Sequence, residues 1–216
     1  MAFVTGGRLY VLNRRTGRTR RLDVAGAESD PSFSTGLRQD LVFGAARGIY
    51  LSRGGIRRPR RVTSGGRNPA YNDIKRRVVA YEKSRDGYTQ IFARDLGRRE
   101  RVVSRRRGSI GNADSRDPVI GNSGFYIAFE TDATNLGLNA LSRTGDRNDR
   151  PDVYLFTDVR DITLVQSVEE KAEPLPGGGQ NPSMSFYANY IVFDSPAPLG
   201  RSEGPHQVYM RWLGGL

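Results

Sequence analysis

Four times along this chain a proline preceded by Asp or Asn is followed, after a nearly fixed interval, by an aromatic that closes an apolar run. The pairs are Asp30-Pro31, Asn68-Pro69, Asp117-Pro118 and Asn181-Pro182; Phe43, Tyr81, Phe129 and Phe193 lie 12, 12, 11 and 11 residues beyond the prolines. A register held that closely means one local geometry built repeatedly, and a repeat must be read before any single element. After a variable gap comes a third shared piece, an apolar-aromatic-apolar triplet: Ile49-Tyr50-Leu51, Ile91-Phe92-Ala93, Val153-Tyr154-Leu155 and Val208-Tyr209-Met210. A fifth copy, Leu9-Tyr10-Val11, opens the chain.

Three triplets lead through a turn into an Arg-rich or β-branched stretch, at Arg20-Arg21-Leu22, Arg60-Arg61-Val62-Thr63 and Arg101-Val102-Val103-Ser104. Each unit therefore reads as four short antiparallel strands, at about 43 residues per unit, the period of a propeller blade. The second strands, such as Val78-Val79-Ala80-Tyr81 and Tyr126-Ile127-Ala128-Phe129, are apolar without alternation, as strands covered on both faces are. A small meander with two apolar faces cannot bury them alone and must stack on copies of itself. The expectation is an all-β propeller of five blades in one domain, with units near 1–24, 25–64, 65–105, 106–168 and 169–216. The first unit begins at its second strand and the last stops after its third, giving 3+4+4+4+3 strands.

With Ile127-Ala128-Phe129, Ile91-Phe92-Ala93 and Val62-Thr63 in these places, the chain resembles the TolB-like propeller repeats over nearly its whole length. The stretch from Phe129 to Asp158 looks like a longer variant of that repeat. The resemblance implies a bacterial, periplasmic or extracellular setting and a non-enzymatic platform that holds a protein or peptide partner. TolB-like propellers usually have six blades, so a fragment of a larger ring is the alternative. A Met directly before the first strand, without a signal peptide, fits a piece cut from a longer protein. The turn between first and second strands departs from the family pattern, reading Ser34-Thr35-Gly36, Asn72-Asp73-Ile74 and Asn122-Ser123-Gly124.

Composition removes several classes of chemistry. There is no cysteine, so disulfides and thiolate metal sites are out, and no apolar run is long enough for a membrane helix. The single histidine, His206, sits in a polar stretch, and no nucleophile elbow, phosphate loop or zinc-binding pair is present. Neither a catalytic centre nor a cofactor is expected. The acidic segment 146–152 lacks calcium-loop spacing and carries Arg147 and Arg150 among its carboxylates, so no metal is expected and turn capping is the reading. The net charge of +11 is lopsided: residues 1–108 hold 26 basic against 9 acidic side chains (+17), and 109–216 hold 8 against 14 (−6).

Two surfaces are candidates for function. The first strands of a propeller line its channel, and the polar residues entering them, Glu28, Asp30, Arg67, Asn68, Arg116, Asp117, Gln180 and Asn181, form a channel mouth suited to a peptide partner. Asp and Asn before Pro also simply build turns. The second is an arginine-rich rim, Arg57, Arg58, Arg60, Arg61, Arg98, Arg99, Arg105, Arg106 and Arg107, able to attract polyanions, although charged outer edges also protect sheets from foreign pairing. Nucleic acid is disfavoured because no aromatics are interleaved for stacking. A third reading, the propeller part of a peptidase or glycan-active hydrolase, would place its carboxylates at Asp30 and Asp117. A monomer is expected.

Overall fold

The structure, a computed structural model, describes residues 1–24, 26–34, 38–136, 148–158, 162–165, 175–196 and 206–214, with backbone only at 28–30 and 162–165. Every repeated aromatic lands on the second strand of a meander, and the chain forms successive antiparallel sheets, here blades I to V. Blade I holds β1 (Ala2–Thr5), β2 (Arg8–Leu12) and β3 (Thr19–Leu22). Blade II holds β4 (Ala27–Phe33), β5 (Leu41–Ala45), β6 (Gly48–Ser52) and β7 (Arg60–Thr63), with one 3-10 turn at Arg53–Gly55. Blade III follows with β8 (Arg67–Asn72), β9 (Val78–Arg85), β10 (Tyr88–Asp95) and β11 (Glu100–Val102). A two-stranded hairpin, β12 (Arg105–Arg106) and β13 (Ser109–Ile110), precedes blade IV. Blade IV holds β14 (Ser115–Ile120), β15 (Tyr126–Thr131), β16 (Asp152–Thr157) and β17 (Ile162–Val165). Blade V holds β18 (Gln180–Met184), β19 (Tyr190–Ser195) and β20 (Gln207–Trp212).

Among the described residues the strand count of the main sheets is the expected 3, 4, 4, 4 and 3; the hairpin was not expected. The first strands β4, β8, β14 and β18 neighbour one another in chain order, as the inner strands of a propeller do.

One device recurs in every blade. The second-strand aromatic pairs across the ladder with the centre of the triplet, and their rings stack: Phe3 on Tyr10, Phe43 on Tyr50, Tyr81 on Phe92, Phe129 on Tyr154 and Phe193 on Tyr209, at 5.6 to 6.2 Å between centroids. Because side chains alternate along a strand, the aromatic and its triplet partner share one face while the triplet's flanking residues share the other. Four apolar clusters result, one per blade junction, each joining the aliphatic face of one blade to the aromatic face of the next. Ile49 and Leu51 of blade II, for example, pack on Tyr81 and Phe92 of blade III. Stacked aromatic pairs of this kind add about 0.5 to 1.5 kcal/mol beyond area burial.

Within blade II the approach of β7 to β6 also demands a backbone without a side chain at Gly48, where β5 turns into β6. Its φ is +122°, and a Cβ there would stand 2.1 Å from the Thr63 carbonyl oxygen.

Candidate functional site

The residues expected at the channel mouth lie inside the first strands rather than in loops leading to them. In each of β8, β14 and β18 the residue before proline is left-handed, with φ of 46° at Asn68, 52° at Asp117 and 51° at Asn181. The pairing register slips at the same points. Asn and Asp tolerate this conformation better than most residues, and the slip makes a bulge that releases a backbone N–H from the ladder.

That N–H is taken by the preceding blade. Asp117 N–H donates to Glu82 Oε1 at 3.0 Å, and Asn181 N–H donates to Glu130 Oε2 at 3.1 Å. Glu82 also accepts from Arg67 Nε at 2.8 Å and Asn68 Nδ2 at 2.9 Å, and Asn68 Nδ2 reaches Asp117 Oδ1 at 2.8 Å. Glu130 accepts from Arg116 Nε at 2.7 Å, while the rest of that guanidinium grips Asp132 at 2.8 and 2.9 Å. The hydrogen bonds that Arg116 donates to Asp132, with Glu130 beside it, hold its guanidinium well above its ordinary range despite burial. Asn181 Nδ2 donates to Asp194 Oδ1 at 2.9 Å. Each hub acid directly follows a second-strand aromatic, as in Tyr81-Glu82, Phe129-Glu130 and Phe193-Asp194, a signal present in the sequence and missed there. Arg67, Asn68, Arg116, Asp117 and Asn181 are thus engaged in clamping one blade to the next. Gln180 opens β18, half-buried; Glu28 and Asp30 lie on β4, and their side chains fall outside the described residues.

The arginine clusters separate in space. A cleft of about 940 Å³ opens between blades II and III, and seven arginines wall it: Arg53, Arg57, Arg58, Arg60 and Arg61 from blade II, with Arg77 and Arg94 from blade III. Leu51, Val62 and Leu96 supply apolar surface, and no acidic residue is among its walls. Among the described residues none of the seven makes an ion pair. Arg77 donates to Tyr71 Oη at 3.5 Å, and that bond raises its pKa above the ordinary value. Burial pushes the Tyr71 hydroxyl up as well.

The next junction, between blades III and IV, has the opposite electrostatics. Arg76 binds Asp95 at 2.6 Å and also Asp158, and Arg101 meets both aspartates at 3.0 Å. The Arg76 guanidinium lies over the Phe125 ring, 4.8 Å from its centroid. Burial alone would raise Asp95, but Arg76 and Arg101 override it and hold its carboxyl below the usual range. Two arginines there are matched by two aspartates, a structural tie. Edge protection accounts for Arg60 and Arg61 on the outer strand β7. It does not account for Arg94 on β10 or Arg77 before β9, which converge on the same opening; Asp40 and Asp73 act on Arg77 through space, but neither is among the cleft walls.

Arg53, Arg77 and Arg94 are the site residues that sequence reasoning missed, because none belongs to an arginine run beside the other walls. Arg98 and Arg99 lie exposed on the turn after β10, beside the wall residue Gly97. Arg105 and Arg106 form β12 and Arg107 its turn, away from the cleft walls. His206 is exposed, with Nδ1 3.6 Å from Asp194. In the acidic segment, Asn148 Oδ1 accepts the Arg150 N–H at 2.9 Å and its Nδ2 donates to the Leu175 carbonyl at 2.7 Å, which is turn capping; residues 146 and 147 lie outside the described residues. Among the described residues no three acidic or histidine side chains converge as metal ligands would, and no helix is long and apolar enough to cross a membrane.

No protein-family profile matches the chain, and no curated protein sequence does. Solved structures do. TolB from Acinetobacter baumannii superposes with a TM-score of 0.61 at 12% identity, over 95% of this chain and 46% of that one. A TolB-type protein of Agrobacterium tumefaciens gives 0.63 at 16% identity, over 99% of this chain and 73% of that one. Dipeptidyl peptidase 4 of Porphyromonas gingivalis gives 0.56 at 14% identity, over 96% of this chain and 28% of that one. The chain therefore has the TolB-like propeller fold, and it spans less than half of the Acinetobacter protein and under a third of the peptidase.

Proposed function

We propose that this propeller is a non-enzymatic binding platform whose arginine-walled cleft between blades II and III holds an acidic segment of a partner protein. The observation that carries the reading is the convergence on one concave opening of seven guanidinium groups from two blades, none of them in an ion pair among the described residues. Guanidinium is always charged and presents a planar fork matched to carboxylate, and side chains facing a cleft of one sign concentrate anions. Leu51, Val62 and Leu96 give aliphatic surface for the side chains of a peptide, and no aromatic lines the cleft to stack bases. A peptide is accordingly favoured over single-stranded nucleic acid. An extracytoplasmic setting belongs to the same proposal and rests on the resemblance of the repeat.

Fluorescence anisotropy with a labelled Glu/Leu peptide tests this, against a Lys/Leu peptide and a DNA oligonucleotide of equal length. The acidic peptide is expected to bind alone, and affinity is expected to fall steeply as salt rises from about 50 to about 500 mM. The double variant Arg77→Glu/Arg94→Glu is expected to weaken binding at least tenfold, about 1.4 kcal/mol. Arg60→Glu/Arg61→Glu, on exposed positions of β7, gives the same readout without touching Tyr71. Binding indifferent to salt and to both variants overturns the reading. Tighter capture of the oligonucleotide through the same arginines would reassign the partner.

A second reading keeps the channel end of the same junction. A hollow of about 270 Å³ lies there between Gly48, Gly65, Gly66 and the Arg67–Glu82 pair, and the Arg67 side chain is 66% exposed. A partner segment seated there would be lost on Arg67→Ala while the cleft variants left it unchanged.

A further inference from the structure

Because each blade is an antiparallel meander, the turn from its first to its second strand and the turn from its third to its fourth stand at the same end of the sheet. In blades II and III these are the β4–β5, β6–β7, β8–β9 and β10–β11 turns. Hydrogen bonds tie them together. Gly54 of the β6–β7 turn donates its N–H to Asp40 Oδ1 at 2.8 Å, and the Leu96 N–H, where β10 ends, donates to the Arg77 carbonyl at 2.8 Å. Across the junction Arg53, Arg57 and Arg58 face Arg77, Leu96 and Gly97 over the cleft. Both blades pack on a neighbour at either side, so what these turns expose is set within the fold.

Among the described residues the charges exposed on these turns are of one sign. Arg38, Lys75, Arg98 and Arg99 stand exposed outside the cleft walls, and none of them makes an ion pair. The acids of the same turns, Asp40 and Asp73, are turned inward, at 2% and 8% exposed. At the opposite end of the blades the signs are mixed, with Asp23, Asp86 and Asp114 exposed as well as Arg47, Arg85 and Arg107. Two isoleucines stand among the cations of the first end, Ile56 at 51% and Ile74 at 42% exposed, each directly before a basic residue, Arg57 and Lys75. A single exposed isoleucine needs no partner. Two of them on cationic turns, at an end cleared of exposed acids, suit the headgroup layer of a membrane, where phosphates meet the cations and aliphatic chains the isoleucines. We propose that this end of the propeller docks on an anionic lipid bilayer. Duplex nucleic acid would use the same cations and leave the isoleucines in water. Since Arg38, Lys75, Arg98 and Arg99 lie outside the cleft, the docking does not rest on what the cleft holds.

Co-sedimentation with vesicles tests it, comparing phosphatidylcholine alone with phosphatidylcholine containing about one third phosphatidylglycerol. The unmodified chain is expected to pellet with the anionic vesicles only. Arg98→Glu/Arg99→Glu is expected to weaken that binding by about tenfold or more. Arg106→Glu/Arg107→Glu makes the same change of charge on the β12–β13 hairpin, at the opposite end, and is expected to leave binding nearly unchanged. Ile56→Ser/Ile74→Ser is expected to lose the share of binding that survives about 500 mM salt. An unchanged urea midpoint shows that each variant is folded; Arg38→Glu/Lys75→Glu, on two other turns, replaces the first pair should it fail. An unmodified chain that stays in solution with anionic vesicles overturns the proposal. So does an equal loss from variants at the two ends, which means that net charge alone drives adsorption. Binding indifferent to the isoleucines, with duplex DNA held more tightly through Arg98 and Arg99, overturns it as well and makes the end a nucleic-acid surface.

Discussion

Glu82 and Glu130 are each 4% exposed, and each gathers donors from two blades. A buried carboxylate is tolerable only when its oxygens are filled with hydrogen bonds, and its removal leaves those donors orphaned. For Glu82 the donors are the Arg67 guanidinium, the Asn68 amide and the Asp117 N–H. Glu82→Ala is expected to cost about 3 kcal/mol in urea unfolding, and Glu82→Gln less, because the amide keeps one acceptor. Asp86→Asn, on the exposed β9–β10 turn where φ is 53° and Asn is tolerated, is the control and is expected to stay within about 0.5 kcal/mol. Equal effects from Glu82→Ala and Asp86→Asn would show that Glu82 does not clamp the blades. The same hubs explain why the candidate channel-mouth residues read plausibly as ligand binders in the sequence. Polar residues at fixed places before proline were visible there, but their acceptors sit 13 to 51 positions away and come into reach only when strands pair within a blade and blades stack on one another.

At the scale of the elements, the ladder was legible because its signal is periodic. The interval from proline to aromatic and the triplet recur once per blade, so the blades and their strand count could be anticipated, while the stacking of the rings was not read. The hairpin β12–β13 could not. Arg105, Arg106, Ser109 and Ile110 make two strands of two residues, too short for any alternation to register. The pairing of the blades by charge was also hidden, and it has a pH signature. In the folded chain Asp95 is held below its ordinary 3.8 by Arg76 and Arg101, against burial. Glu100 is held below 4.5 by hydrogen bonds from Lys83, Tyr81 and Thr63, again against burial. A carboxyl whose folded pKa is depressed adds stability above its unfolded pKa and loses it as pH falls through the folded one. The urea midpoint is therefore expected to be flat from neutral pH down to about 5 and to drop below that. Asp95→Asn is expected to be less stable at neutral pH and to show a shallower acid slope. An unchanged slope in Asp95→Asn would remove the aspartate from the account.

For the molecule as a whole, the division of charge decides what the arginines are for. Fold likeness at 12 to 16% identity says how the chain is built and leaves its partner open. The partner must be argued from which guanidinium groups are already satisfied. Arg76, Arg101 and Arg116 are bound to carboxylates of their own chain, whereas the seven arginines of the cleft have none among the described residues. Composition displayed the excess of arginine but could not sort one group from the other, since the sorting depends on which blades face each other. The most direct test reads each guanidinium separately. Titration of the Glu/Leu peptide into the protein, followed by NMR of the arginine side-chain Nε–H signals, is expected to shift Arg60, Arg61, Arg77 and Arg94. The signals of Arg76, Arg101 and Arg116 are expected to stay in place. Shifts confined to the second group, or no saturable shift in the first, would contradict the assignment of the cleft as the binding site.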